Sequence, residues 1–184
     1  DFAAQCAFAA AVGYDGLEVA PFTLADDPLA LPAARIAEVR NAATDAGVAI
    51  TGLHWLLVKP DGLSITSPDA AVRARTIDAI RRIVDLCAAL GGRYLVHGSP
   101  APRRTPPGID RATARAWIAE ALAAAARAAQ QAGVIYLIEP PPRDETDQVN
   151  TLDEAVALVR EVDSPALATM LDAKSAALTE TASA

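Results

Sequence analysis

A helical pattern that ends at glycine and passes into a short apolar run occurs four times along this chain. The junctions lie in residues 11–19, 45–57, 89–97 and 131–139, with glycines at Gly13, Gly47, Gly91, Gly92 and Gly133. Glycine just after a helix adopts the left-handed conformation that ends it. The apolar runs do not alternate strictly with polar residues, which is typical of parallel strands covered on both faces. The pattern predicts an α/β fold with right-handed crossovers between parallel strands.

Two architectures fit this alternation: an open doubly wound sheet and a closed (β/α)₈ barrel. No Gly-x-Gly-x-x-Gly follows the first apolar run, which disfavours the dinucleotide-binding form of the open sheet. Two helix starts are also predicted. At Ser67-Pro68-Asp69 a capping hydroxyl precedes a proline at the first helical position, and Thr151 and Glu154 have the spacing of a capping box.

Composition limits the classes of partner. The chain has 184 residues, 52% of them hydrophobic, which is enough for one domain over residues 1–184. A net charge of −7 disfavours nucleic acid and membrane surfaces, since phosphate binding relies on clustered Lys and Arg. Without a bilayer-length apolar stretch or a leader pattern, we expect a cytoplasmic protein. Cys6 and Cys87 are interpreted as reduced, buried thiols.

Five apolar runs end on, or just before, a residue that can bind a metal or move a proton. The runs are 14–19, 48–57, 93–96, 134–138 and 167–171, and the residues are Glu18, His54, His97, Glu139 and Asp172. Both histidines of the chain are in this set. Because the carboxyl ends of parallel strands share one face, we expect these side chains to converge.

Glu139 carries the strongest signal of the five. It ends a buried run, and the three prolines after it prevent the strand from continuing. A buried carboxylate is costly unless it is paired or bound to metal, so the alternative is an ion pair with Arg143 or a lysine. Asp172 ends the next run, where it could instead cap the following helix. Two neighbouring carboxylates repel unless a cation lies between them, and oxygen ligands favour hard ions such as Mg²⁺ or Mn²⁺.

The other polar residues have open alternatives. His54 and His97 could bind metal, orient substrate or carry protons, or each could bond a backbone carbonyl. Trp55 could form an apolar wall against a sugar ring, or it could belong to the core. A salt bridge at the barrel rim is sufficient to explain Glu18. The loop charges Lys59, Arg103 and Arg104 could bind an anion, but solvated charges are the default interpretation.

The ordered set of motifs resembles the sugar phosphate isomerase/epimerase group of the xylose isomerase-like TIM barrels. The matching stretches are Gly13-Tyr14-Asp15-Gly16-Leu17-Glu18-Val19, Gly52-Leu53-His54-Trp55, Ile138-Glu139-Pro140, Val149-Asn150-Thr151 and Met170-Leu171-Asp172. The resemblance implies a (β/α)₈ barrel enzyme that uses a divalent metal such as Mn²⁺, Mg²⁺, Co²⁺ or Zn²⁺. It also implies a small sugar or keto-polyol as substrate, and it leaves a homo-oligomer open.

The resemblance also implies roles for single residues. Glu139 and Asp172 match the metal ligands of strands five and six, and Glu139 matches the acid/base residue. Glu145, six residues after Glu139, matches a glutamate that contacts substrate in ketose epimerases, and His54, His97 and Trp55 would help to bind substrate. Ser175 stands where a histidine is common, which is a departure from the ketose 3-epimerase pattern. The implied reaction removes a proton next to a carbonyl and passes through a metal-stabilised enediolate.

Counting strands from the resemblance, the chain corresponds to about strands two to six of the barrel. Strand one, and strands seven and eight with their metal-binding histidine and second glutamate, would lie outside residues 1–184. Asp1 opens within a helical pattern, and residues 179–184 show no finishing element. We therefore expect a fragment that is inactive by itself.

Two rival functions remain at this stage. The first is an endonuclease IV-like DNA-repair enzyme on the same barrel, which would need more histidine ligands and a basic surface. The second is a non-catalytic, truncated barrel module, because an incomplete barrel leaves strand edges unpaired.

Overall fold

A computed structural model describes residues 1–180, so the last four residues of the predicted domain lie outside the described residues. Five parallel strands form one sheet: β1 (Gly16–Val19), β2 (Ala49–His54), β3 (Tyr94–His97), β4 (Ile135–Ile138) and β5 (Leu167–Thr169). From β2 onward, each strand pairs with the strand that precedes it in the sequence. Doubly wound sheets reverse their strand order partway, whereas barrels add strands in sequence. The α/β fold and the partial TIM barrel are therefore confirmed.

Helices alternate with the strands as the glycine junctions predicted. They are α1 (Phe2–Ala11), α2 (Ala33–Asp45), α3 (Ala70–Leu90), α4 (Arg111–Ala132), α5 (Leu152–Val162) and α6 (Ala173–Thr179). Short 3₁₀ turns cover Pro21–Thr23, Pro28–Ala30 and Ala101–Arg103. The junction glycines Gly13, Gly47, Gly91 and Gly133 have φ between 72° and 87°, which confirms the predicted left-handed helix ends. Within residues 1–180, no helix combines the length and apolar character needed to cross a bilayer.

One of the two predicted helix starts is confirmed. Thr151 is the N-cap of α5, and its hydroxyl accepts from the Glu154 backbone N at 3.2 Å. The predicted start of α3 was wrong by two residues, because Asp69 is the N-cap instead of Ser67. The Asp69 carboxylate accepts from the Ala71 backbone N, and its negative charge suits a helix N-terminus.

The two faces of the sheet differ in burial. Leu53, Leu95, Tyr136 and Ile138 have no exposed surface and pack in the core together with helix residues. On the opposite face Ile135 is 37% exposed, because this face has no opposing strand in the described residues. The prediction of strands covered on both faces therefore holds for one face only in residues 1–180. Cys6 and Cys87 are buried and unpaired by disulfide, as predicted.

Candidate active site at the strand ends

The predicted polar residues lie at the carboxyl ends of five neighbouring strands. Glu18 lies in β1, and His54 and His97 are the last residues of β2 and β3. Glu139 follows β4 directly, and Asp172 is the N-cap of α6, three residues after β5. Sequential strand order brings these ends to one edge of the sheet, but their side chains do not all converge.

Glu139 lies half-buried at the centre of the group. Burial raises the pKa of its carboxyl, and the negative charge of Asp172 raises it further. The charges of Arg103 and His54 act in the opposite direction. The alternative ion pair with Arg143 is not formed in residues 1–180, because Arg143 Nη2 lies 3.8 Å from Glu154 Oε1.

Gly98 makes room for the Glu139 carboxylate. A Cβ atom placed on Gly98 would overlap Glu139 Oε2, so the carboxylate occupies the space that a side chain would take. The Glu139 backbone N donates to the His97 carbonyl at 3.3 Å, which ties the residue after β4 to the end of β3. The absence of a side chain at position 98 is thus part of how the site is built.

Asp172 caps α6, and its negative charge also acts on the Glu139 carboxyl. Its Oδ1 accepts from the Ser175 backbone N at 2.8 Å, so the helix-cap alternative is present in the structure. Within residues 1–180, Oδ2 makes no hydrogen bond. Because a carboxylate has two oxygens, capping leaves one of them available for a cation.

Glu18 and His54 form a close pair beside this group. Glu18 Oε1 lies 2.6 Å from His54 Nδ1, and the two side chains are 33% and 34% exposed. The bond to His54 holds the pKa of the Glu18 carboxyl below its usual value. The predicted rim interaction of Glu18 is therefore made with His54, and His54 is held in place on the side of the site that faces β1.

Trp55 stands out from the surface in an unusual backbone conformation. Its φ is 54° and it is 51% exposed, with its ring tilted against Phe22 at a centroid distance of 6.4 Å. A positive φ is rare for a bulky residue, and such strain tends to occur at functional sites. Of the two alternatives, the exposed position fits an apolar wall better than a core tryptophan.

His97 lies apart from the carboxylates. It has no exposed surface, its Nδ1 lies 2.9 Å from the Tyr136 hydroxyl, and its Nε2 has no partner in residues 1–180. Burial, helped by the charge of Arg103, lowers the pKa of His97 to about 3, so the ring is neutral at neutral pH. Its contacts are those of a packed residue, and its predicted role in substrate binding stays a prediction.

The interpretation of Arg103 as a solvated loop charge was wrong. Arg103 has no exposed surface, and its guanidinium donates to the backbone carbonyls of His97, Gly98 and Glu139. The Lys59 side chain, in contrast, is 43% exposed and pairs with Asp61 at 2.9 Å. The sequence feature that could have indicated this burial is the position of Arg103 among the prolines of residues 98–110, because prolines restrict the conformation of the loop.

Glu145 and Asn150 organise the loop after β4. The Glu145 carbonyl accepts from Arg104 Nη2 at 2.5 Å, and its carboxylate lies 3.8 Å from Lys174 Nζ. Asn150 is fully buried, and its amide donates to the carbonyls of Pro141 and Thr146 at 2.9 Å. Sequence reasoning gave Asn150 no structural role, although it stands in a stretch that carried the resemblance.

Comparison with known proteins agrees with this architecture. Residues 6–178 match a family model described as xylose isomerase-like TIM barrel. The chain is similar to a D-psicose 3-epimerase solved in the presence of D-fructose, with 26% identity and a TM-score of 0.83 over 99% of this chain and 61% of that chain.

Two further structures share the fold. A D-psicose 3-epimerase from Clostridium cellulolyticum H10, solved with D-tagatose, has 22% identity and a TM-score of 0.84, covering 100% of this chain and 62% of that one. A xylose isomerase-like TIM barrel protein from Mycobacterium smegmatis, in complex with magnesium, has 21% identity and a TM-score of 0.65, covering 93% and 56%. This chain thus spans about three fifths of the length of the relatives it matches.

Proposed function

The chain belongs to the xylose isomerase-like TIM barrel family, and we propose that it functions within a divalent-metal-dependent isomerase or epimerase of sugars. The observation that carries this proposal is the placement of Glu139 and Asp172 after the neighbouring strands β4 and β5, where the charge of Asp172 helps to raise the pKa of the Glu139 carboxyl. The D-psicose 3-epimerase at 26% identity supports a ketose or related keto-polyol as substrate. A cytoplasmic location, a single domain and the absence of a nucleic-acid partner are part of the same proposal.

Glu139 and Asp172 would hold the metal. Two adjacent carboxylates suit a hard divalent cation, and Gly98 leaves the space in which the Glu139 carboxylate lies. In residues 1–180 no group of three or more His, Cys, Asp or Glu side chains could hold a metal ion. In this proposal Glu139 and Asp172 are two of the ligands, and further strands supply a histidine and a glutamate. By itself, the chain is expected to turn over little or no substrate.

The chemistry proposed for this chain centres on Glu139. When bound, the cation would supply positive charge that stabilises negative charge developing on the substrate oxygens. Glu139 would remove and return the proton on the carbon next to the carbonyl, which a carboxylate held at this position in the site can do. His54, held by Glu18, and Glu145 would orient hydroxyl groups, while Trp55 would cover an apolar face of the sugar.

The two histidines make the DNA-repair alternative the weaker candidate. His54 is already bonded to Glu18, and His97 is buried against Tyr136. Neither ring is grouped with Glu139 and Asp172 as a metal ligand in the described residues.

A titration with Mn²⁺, followed by electron paramagnetic resonance of the free ion, tests the metal site. Glu139→Gln and Asp172→Asn are each expected to weaken Mn²⁺ binding about tenfold or more, since each removes a ligand worth at least 1.4 kcal/mol. Glu120→Gln removes an exposed carboxylate on α4 and serves as the matched control, which should bind like the parent. Unchanged affinity in both site variants would contradict the proposal.

A further inference from the structure

Arg103 is the largest fully buried side chain in the described residues. Placing a guanidinium where it has no exposed surface is costly unless its donors are satisfied and its charge is compensated. Burial lowers the pKa of Arg103 to about 10, while the charges of Glu139 and Glu145 act to raise it. The group therefore remains charged at neutral pH, and its position calls for an explanation beyond packing.

Its hydrogen bonds connect two strand ends. Nη2 donates to the Glu139 carbonyl at 2.6 Å and to the Gly98 carbonyl at 3.4 Å, and Nη1 donates to the His97 carbonyl at 3.4 Å. The His97 carbonyl ends β3, the Gly98 carbonyl follows it directly, and the Glu139 carbonyl follows β4. The His97 carbonyl also accepts from the Glu139 backbone N, so Arg103 and Glu139 share an acceptor.

These contacts surround the space in which the Glu139 carboxylate lies. Gly98 borders that space directly, since a Cβ there would overlap Glu139 Oε2. Arg103 bonds the backbone on both sides of this contact, at Gly98 and at Glu139. A shift of either backbone segment would move the carboxylate relative to Asp172.

We propose that Arg103 is a positioning residue, whose guanidinium joins the ends of β3 and β4 and thereby fixes the Glu139 carboxylate over Gly98. The effect on metal binding rests on the proposed function, whereas the effect on the Glu139 backbone does not. The planar fork explains why arginine stands here, because one group reaches three carbonyls at the ends of two neighbouring strands. Lysine carries the same charge but has a single nitrogen.

Two substitutions of Arg103 separate its charge from its geometry. Arg103→Met keeps the stem and removes every donor, and Arg103→Lys keeps a charge without the fork. The matched control is Leu122→Ala, which opens a cavity at a fully buried position on α4 and so lowers stability without touching these carbonyls. Arg103→Lys also carries the comparison if Arg103→Met does not fold.

Two measurements report on position. Mn²⁺ affinity is expected to fall about tenfold in Arg103→Met, the effect typical of lost support around a metal ligand, with Arg103→Lys in between. Hydrogen exchange at the Glu139 amide, followed by NMR and referenced to the buried Ile80 amide on α3, is expected to accelerate in the same order. Leu122→Ala should change neither the affinity nor the ratio of the two exchange rates.

The outcomes are distinguishable. A folded Arg103→Met protein with parental Mn²⁺ affinity and a parental exchange ratio would overturn the positioning role. Equal effects in Leu122→Ala would also overturn it, by showing that stability alone is measured. If the parent protein takes up no Mn²⁺, the proposed metal site fails, and the exchange ratio at Glu139 still decides the role of Arg103.

Discussion

Replacing Gly98 by alanine is expected to turn the Glu139 carboxylate out of its position and to destabilise the chain by about 0.5–1.5 kcal/mol, the cost of a side chain forced off its preferred rotamer. The new methyl would overlap Glu139 Oε2. The backbone of Glu139 is held by the bonds of its N–H to His97 and its carbonyl to Arg103, so the side chain is the part that moves. Gly98 has no positive φ, so alanine should meet the carboxylate without added backbone strain. Urea unfolding followed by circular dichroism measures the change.

A double-mutant cycle with Glu139→Ala isolates this contact. Once the carboxylate is gone, the methyl at position 98 finds open space, so Gly98→Ala should cost close to nothing in the Glu139→Ala background. The coupling energy should then nearly equal the cost of the single Gly98 substitution. An equal cost in both backgrounds would mean that something other than the carboxylate fills the space beside Gly98.

The second large effect is a loss of folding stability at acidic pH, caused by the buried His97. An unfolded chain protonates histidine near pH 6.5, but burial lowers the pKa of His97 to about 3 in the folded chain. Because the pKa of His97 is lower in the folded chain, the contribution of neutral His97 to folding stability is fully present above pH 6.5. This contribution is lost as the pH falls toward 3. The slope from this one group reaches about 1.4 kcal/mol per pH unit in that window. Thermal melts between pH 7 and pH 5 should therefore show a falling midpoint.

Substituting each histidine in turn assigns the slope. His97→Gln, which cannot titrate, should lower stability at pH 7 but flatten its dependence on pH. His54→Gln is the comparison, because it removes the other histidine, whose side chain is 34% exposed, and leaves His97 in place. If His97→Gln and the parent protein lose stability in parallel above pH 5, the slope does not come from His97.

Much of the fold could be predicted because its signals are local. Glycine after a helix and proline after Ile138-Glu139 fix where elements end, and these junctions hold in the structure. The choice between a barrel and an open sheet could not be made from residues alone, because strand order depends on long-range pairing. The family resemblance supplied that choice, and the sequential pairing of β1 to β5 confirms it.

The candidate site was less predictable, because it depends on which face a side chain takes. In a strand, a shift of one residue moves a side chain to the other face. His97 falls in register with Ile138, beside the core residues Leu95 and Tyr136, which accounts for its burial. Because apolar and polar residues do not alternate in the run before His97, the sequence does not indicate which face of the sheet His97 takes. Arg103 was missed for a related reason: its partners are backbone carbonyls of residues that are close in space but carry no marker in the sequence.

Because the strands follow one another in sequence order across the sheet, each of the three inner strands, β2, β3 and β4, pairs with two others in the described residues. An inner strand–helix unit transplanted from a relative would consequently have to form two new interfaces, one with each neighbouring unit. Between β3 and β4, however, the Arg103 hydrogen bonds join the two strand ends, so those two units are best taken together from one parent protein. Chimeric barrels should therefore tolerate a crossover point between β1 and β2 more readily than one between β3 and β4.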